Sequence, residues 1–220
     1  MRNSTNVAEG YDALADAYAR ELFDELRDKP LDRALLASFV EQASQAHPGG
    51  AILEVGCGPG QVARHVHELG ARVIGTDVSA TMLAVASQRS PMIEFRHGDL
   101  LALAEPDETY AGVLAFYAIV HLEPGQLVVA FREMHRVLRP NGLALIAFHV
   151  GHDRLRPGEL WGTKTDLEWV LFSREVVEEA LREAGLAIEA RIEREPYARV
   201  EHASRRAYLF ARKPMVGALR

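Results

Sequence analysis

The chain predicts an α/β fold, a mostly parallel sheet with helices on both faces. Three observations carry the prediction. Short apolar runs alternate with helical segments, AILEV then QVARHVHELG, ARVIGTD then SATMLAVASQRS; this repeat marks strand–helix–strand units. The runs are dominated by apolar residues, as suits strands buried on both faces. Seven strand candidates fall within 220 residues, enough for one sheet and one sizeable core but a poor fit to two equal domains.

The elements follow in order. YDALADAYARELFDEL sets Leu14, Tyr18 and Leu22 at four-residue steps, predicting a helix with Asp24 and Glu25 on its wetter side. Pro30 interrupts it, and Leu31, Leu35, Phe39 and Val40 begin a second amphipathic helix ending near HPGG; residues 9–46 thus form a helical cap. After the first two strand–helix pairs come MIEFRHGDL, YAGVLAFYAIVHL and GLALIAFHV as further strands. The helix after Pro124 carries Leu127, Phe131, Met134 and Leu138 as one apolar stripe, and Gly142 marks the turn into the next strand. Residues 151–170 keep no period and read as a connecting loop or small cap, a substrate-side insert. SREVVEEALREAGL is a helix with Ser173 as N-cap. AIEARIEREP and RRAYLFARK are two closing strands, and the arginines between Arg191 and Lys213 read as their wet faces.

Composition narrows the function. An apolar fraction of 48% suits a soluble globular domain, and no run of about 18 uncharged apolar residues suggests a membrane span. MRNSTNVAEGYD lacks the apolar stretch of a secretory signal, so a cytoplasmic location is expected. Cys57 is the only cysteine, which excludes an intrachain disulfide and a multi-cysteine metal cluster. The acidic balance, 31 acidic against 25 basic residues, gives no global help to nucleic-acid binding.

The stretch ILEVGCGPG is the chemical centre of the sequence. It lacks the lysine followed by serine or threonine of a phosphate-gripping loop, and Gly56, Gly58 and Gly60 miss the dinucleotide spacing because Gln61 occupies its last position. Glu54 in the same run suits a ligand ammonium and repels a pyrophosphate. Asp77 ends the next strand, where a carboxylate accepts two ribose hydroxyls, and Asp99 ends the third, where it meets an adenine edge. Three acidic positions at successive strand ends describe a cationic, ribose-bearing ligand.

On LEVGCGPG, VIGTDVSATML, FRHGDL and LAFYAIVHL the chain resembles the class I S-adenosylmethionine-dependent methyltransferase family, small-molecule type, over about residues 10–213. The resemblance implies a Rossmann-like class I methyltransferase fold, a single domain over 1–220 with a seven-stranded sheet in the order 3-2-1-4-5-7-6 and its last strand antiparallel. It implies S-adenosyl-L-methionine as cofactor. Glu54 then lies near the methionine ammonium, and Gly56 and Gly58 line the methionyl chain. Asp77 takes the ribose hydroxyls, Val78 and Met82 flank adenine, and Asp99 with Leu100 meets its edge. Ala115, Phe116 and Tyr117 close around the methionine moiety, and Tyr11 and Tyr18 are lid residues of the first helix.

The acceptor side is read from chemistry alone. His121, after the fourth strand, is the first candidate for a base or orienting group, and His149 is the second. Tyr117, His121, His152 and Trp161 are substrate-side candidates; Arg154, Arg156 and Lys164 suit either an acidic substrate or solvent. Without an H-E-x-x-H pattern or dense ligand cluster, no metal is expected. The expected activity is methyl transfer to the O or N of a small molecule by a monomer or homodimer, without nucleic-acid or membrane partners. The alternatives are a noncatalytic S-adenosylmethionine sensor and a protein or nucleic-acid methyltransferase.

Overall fold

The computed structural model describes residues 4–215; the ends of the 1–220 domain, residues 1–3 and 216–220, lie outside the described residues. The order is α1 (Ser4–Leu22), α2 (Pro30–Ala46), β1 (Ile52–Val55), α3 (Gln61–Glu68), β2 (Val73–Asp77), α4 (Ala80–Arg89) and β3 (Glu94–His97). There follow β4 (Tyr110–Phe116), α5 (Pro124–Val137), β5 (Leu138–Val150), α6 (Arg174–Glu183), β6 (Ala187–Arg194) and β7 (Arg205–Arg212). In these labels the seven-stranded sheet runs β3-β2-β1-β4-β5-β7-β6. Strands β1 to β5 pair in parallel, and β7 is antiparallel to both neighbours. This is the expected order, with chain reversal confined to the closing hairpin.

Burial explains why the central strands are apolar. β1, β2 and β4 are buried along their whole length. One face is covered by Leu127, Phe131 and Met134 of α5 with Val177 and Leu181 of α6. The other is covered by Leu36, Phe39 and Val40 of α2 with Val62 and Val66 of α3. Each large side chain so buried contributes about 1.5–3 kcal/mol. The helical boundaries have local causes: Pro30 opens α2, and the Ser79 and Ser173 hydroxyls accept from the Met82 and Val176 amides at the starts of α4 and α6.

Four local expectations are corrected. First, α1 ends at Leu22, and Glu25 stands in a separate 3-10 turn, Glu25–Asp28. It does not lie on a wet helical side, because the chain has turned and aimed its carboxylate inward toward Lys29, 2.5 Å away. Second, the turn before Gly142 lies inside β5 as a register irregularity, with Asn141 in the left-handed region at φ 67°.

Third, the insert 151–170 contains two small antiparallel ladders, Arg154–Leu155 with Trp169–Val170 and Glu159–Leu160 with Thr163–Lys164. The tighter one turns through Trp161 and Gly162, both at positive φ, the geometry of a primed hairpin turn. Fourth, Arg194, Arg206 and Lys213 are not on wet faces. Arg194 bonds Asp32 at 2.7 Å and Glu201 at 2.6 Å, and Lys213 reaches the Leu138 carbonyl at 2.8 Å. Arg206 is 3% exposed, its guanidinium on the Ser204 hydroxyl at 2.7 Å and the His202 carbonyl at 3.2 Å. Buried cations persist where such partners replace water.

Candidate functional site

The parallel strands end together at one edge, and the loops leaving them surround a cavity roofed by α1. Its lining includes Glu54, Gly56 and Gly58 after β1, Asp77, Val78 and Met82 after β2, and Asp99 and Leu100 after β3. Phe116, Tyr117 and His121 come from the end of β4 and the 3-10 turn after it, and Tyr11 and Tyr18 descend from α1. The residues expected around the cofactor therefore share one cleft, except Ala115, which is buried within β4 and outside the lining. His149, His152 and Trp161 are not brought to it.

The glycine loop and the β2 carboxylate form one construction. Gly56 and Gly58 hold φ of 65° and 52°, which glycine adopts at little cost. This turns the Gly58 amide onto Asp77 Oδ2 at 2.8 Å, while Asp77 Oδ1 accepts from the Ser79 amide at 2.9 Å. Burial raises the Asp77 pKa, opposed by the amides of Ser79, Gly58 and Val78. A carboxylate offers about four acceptor sites, so these amides still leave room for a ligand hydroxyl. Asp99 is shaped by its own turn, its Oδ1 accepting from the Leu101 amide at 2.9 Å.

Glu54 is 2% exposed, and its Oε2 has no hydrogen-bond partner. Burial raises its pKa well above the usual carboxyl range, and Asp77 adds repulsion. A buried, unpaired carboxylate oxygen in a cavity fits a ligand ammonium. A Cβ built on Gly58 would meet nothing within 4 Å, so the loop leaves room for the ligand's chain. Cys57 is buried, and burial raises its thiol pKa well above normal, so it is packing rather than a nucleophile.

The roof is tied down at two points. Asp12 Oδ1 accepts from Ser79 Oγ at 2.6 Å and from the Thr81 amide at 3.1 Å, fastening α1 to the start of α4. Tyr11 Oη lies 2.7 Å from His121 Nε2, the rings meeting edge-on at 5.2 Å. His121 Nδ1 lies 2.9 Å from the Glu168 carbonyl, so the insert braces the same histidine.

The remaining candidates have other surroundings. Tyr117 lines the cavity from a left-handed backbone, φ 61°, a strained conformation for a bulky residue of the kind that concentrates at functional sites. Its hydroxyl points away, 3.1 Å from Tyr208 Oη. His149 sits behind that ring at 5.1 Å, bonded through Nδ1 to Ser204 Oγ at 2.8 Å. Burial, then Arg206 and His202, push its pKa down to about 3, so it stays neutral near pH 7 and faces no cavity ligand. Trp161 stands edge-on behind Tyr18 at 5.6 Å, and His152 is exposed. Arg154 and Arg156 are engaged by Glu168, and Arg154 also by Glu123.

Sequence reasoning missed Asp12, Glu25 and Gln61. The last two line the cavity, with Gln61 Nε2 3.2 Å from Glu25 Oε1. Glu25 was hidden because helical periodicity was extended through a turn. Asp12 adjoins Tyr11 but has no periodic signal of its own.

The comparisons agree with this architecture. Residues 52–142 match the family model described as a methyltransferase domain. A probable S-adenosylmethionine-dependent methyltransferase of Mycolicibacterium smegmatis is 38% identical over 44% of this chain and 37% of its own length. A malonyl-[acyl-carrier protein] O-methyltransferase of Serratia marcescens is 30% identical over 72% of this chain and 61% of its own. The chain thus spans less than two thirds of the length of these curated relatives. Among solved structures, the (4+2)-cyclase SpnF superposes with a TM-score of 0.70 at 19% identity, covering 97% of this chain and 98% of that one. Fold, strand-end cleft and sequence define a Rossmann-like methyltransferase domain. Residues 52–142 carry that methyltransferase domain, and the chain is similar to class I S-adenosylmethionine-dependent methyltransferases.

Proposed function

We propose that the chain binds S-adenosylmethionine in this cleft and transfers its methyl group to the O or N of a small molecule. The observation that carries the reading is the convergence of Glu54, Asp77 and Asp99 with the glycine loop in one cavity. Glu54 faces the ammonium, Asp77 the ribose, Asp99 and Leu100 the adenine edge, and Val78 and Met82 its faces. Phe116, with the tyrosines of α1, encloses the methionine end. S-adenosylmethionine bound there supplies an electrophilic methyl group on a positively charged sulfur.

The chain's own work is alignment and exclusion of water. Placing Glu54 at the ammonium rather than the sulfur matters, because a carboxylate close to sulfur holds the reactant charge that the transition state must lose. His121 is the base or orienting group for the acceptor, and Tyr117 offers its ring. The Serratia marcescens relative is an O-methyltransferase of a malonyl group borne on acyl-carrier protein, which supports transfer to an oxygen of a small acceptor group. The acidic balance disfavours nucleic acid. No helix among the described residues is long and apolar enough to cross a membrane. A cytoplasmic setting accords with the one cysteine being an unpaired thiol; the chain is read as a monomer or homodimer.

The near-full-length likeness to a cyclase shows that this fold is not confined to one chemistry, so binding without transfer is the second reading. Radiolabel transfer from S-adenosylmethionine to a library of small hydroxyl and amino compounds separates the two. Labelled product is expected, with His121→Ala lowering turnover more than cofactor affinity. Label appearing only on protein or nucleic acid rejects the small-molecule assignment.

A further inference from the structure

The Tyr11–His121 contact fixes protons as well as positions. A carbonyl oxygen only accepts, so His121 Nδ1, 2.9 Å from the Glu168 carbonyl, carries the proton of the neutral ring. Nε2 is then the basic nitrogen, and Tyr11 Oη, 2.7 Å away, donates to it. Burial raises the Tyr11 pKa and keeps that proton in place at rest. Tyr11 lines the cavity, and while its hydroxyl donates to His121 its oxygen keeps lone pairs that can accept from a cavity ligand.

The group that sets the tautomer is itself clamped. The Glu168 side chain is 1% exposed and bonds Arg154 at 2.7 Å as well as Arg156. The cavity that Tyr11 and His121 share is also lined by Val7, Leu122, Phe116 and Tyr18, whose ring meets that of Tyr11 edge-on at 6.0 Å, and this apolar lining favours an acceptor with an apolar body.

Resting on the methyl-transfer reading, we propose that Tyr11 and His121 form a proton relay serving a hydroxyl acceptor carried on an apolar body. The acceptor's O–H bond breaks, its proton passes to Tyr11 Oη, and Tyr11's own proton passes to His121 Nε2. The electron pair freed on the acceptor oxygen forms the bond to the methyl carbon as the carbon–sulfur pair stays on sulfur. His121 ends as an imidazolium and returns its proton to solvent. Tyr11 touches the acceptor; His121 acts through it.

The tautomer is read without any acceptor. In long-range proton–nitrogen spectra of full-length protein labelled with 15N-histidine, His121 is expected as the Nδ1–H form, and an Nε2–H ring overturns the proposal. Radiolabel transfer to phenol and to 4-nitrophenol, the latter largely ionised near neutrality, then separates proton removal from positioning. The variants are Tyr11→Phe and His121→Asn, the second retaining a donor for the Glu168 carbonyl. Each is expected to lose about a hundredfold toward phenol and less than about threefold toward 4-nitrophenol. Equal losses on both acceptors overturn the relay and leave the pair a brace. Wild-type protein that binds S-adenosylmethionine yet methylates neither phenol overturns the hydroxyl-acceptor assignment alone. Folded protein that fails to bind S-adenosylmethionine overturns the reading beneath it as well.

Discussion

The Gly58 amide donates to Asp77 Oδ2 at 2.8 Å, so the loop after β1 and the carboxylate ending β2 are a single unit. Asp77→Ala removes two acceptor oxygens and the loop's anchor together. S-adenosylmethionine affinity is expected to fall about ten- to a hundredfold, the equivalent of roughly 1.5–3 kcal/mol for hydrogen bonds to a charged group. Calorimetric titration checks it, and an unchanged Kd removes the ribose assignment.

Glu54 ties cofactor binding to proton release. Its pKa is raised in the folded chain, chiefly by burial, so it favours the folded state below the unfolded value of about 4.3. That contribution is lost as pH rises through the raised value. Glu54→Gln is expected to remove the loss, so its stability relative to wild type improves from about pH 5 to about pH 8. An arriving ammonium favours the charged carboxylate, so wild type releases protons on binding and Glu54→Gln releases fewer. Titrations in buffers of different ionisation enthalpy measure the count; equal counts contradict the ammonium assignment.

Asp12 is the α1 fastening that faces away from the chemistry. Hydrogen bonding to Ser79 holds its pKa below the ordinary value, in keeping with a carboxylate that accepts from both Ser79 and Thr81. Asp12→Ala is expected to speed S-adenosylmethionine dissociation roughly five- to tenfold, the loss of one or two net hydrogen bonds. Stopped-flow displacement reads the rate, and α1 amides should exchange faster in the same variant. Unchanged dissociation means that α1 does not control exit.

The strands were legible because buried parallel strands leave apolar runs and their ends leave acidic punctuation, as at Glu54, Asp77 and Asp99, whereas their order in the sheet came from the family resemblance, since periodicity carries no information on which strands pair. Within the cofactor half of the cleft, Glu54, Asp77, Asp99 and the glycine loop followed from the same strand ends, which backbone geometry brings together, while Val78, Met82, Leu100, Phe116 and the α1 tyrosines came from the resemblance. The acceptor half was less legible. His121 follows β4 and His149 lies near the end of β5, yet only His121 reaches the cavity; the His149 ring packs 5.1 Å from that of Tyr117, outside the lining. The insert's strands are two residues each, too short to show a period, and its hairpin depends on positive φ at Trp161 as well as Gly162. Arg194 resembled a solvated strand residue because its partners, Asp32 and Glu201, are distant or separated by the hairpin turn.

That buried network predicts stability rather than chemistry. Asp32 is fully buried, accepting from Tyr208 Oη at 2.9 Å and Arg194 at 2.7 Å. Although burial alone would raise it, Arg194, the Tyr197 amide and Lys29 hold the Glu201 carboxyl down at about 2. Removing one partner of a buried pair strands the other charge, so Asp32→Ala is expected to cost about 3–5 kcal/mol in urea unfolding. The double variant with Arg194→Met should recover part of that cost. A loss under about 1 kcal/mol marks the pair as no stronger than a surface bridge.

The most direct test is titration of S-adenosylmethionine into the full chain, with circular dichroism confirming that the protein is folded. One molecule bound per chain, with NAD failing to compete, is the expected result. No binding by folded protein, or displacement of S-adenosylmethionine by a tightly held dinucleotide, contradicts a cleft built for a sulfonium, its ribose and its adenine.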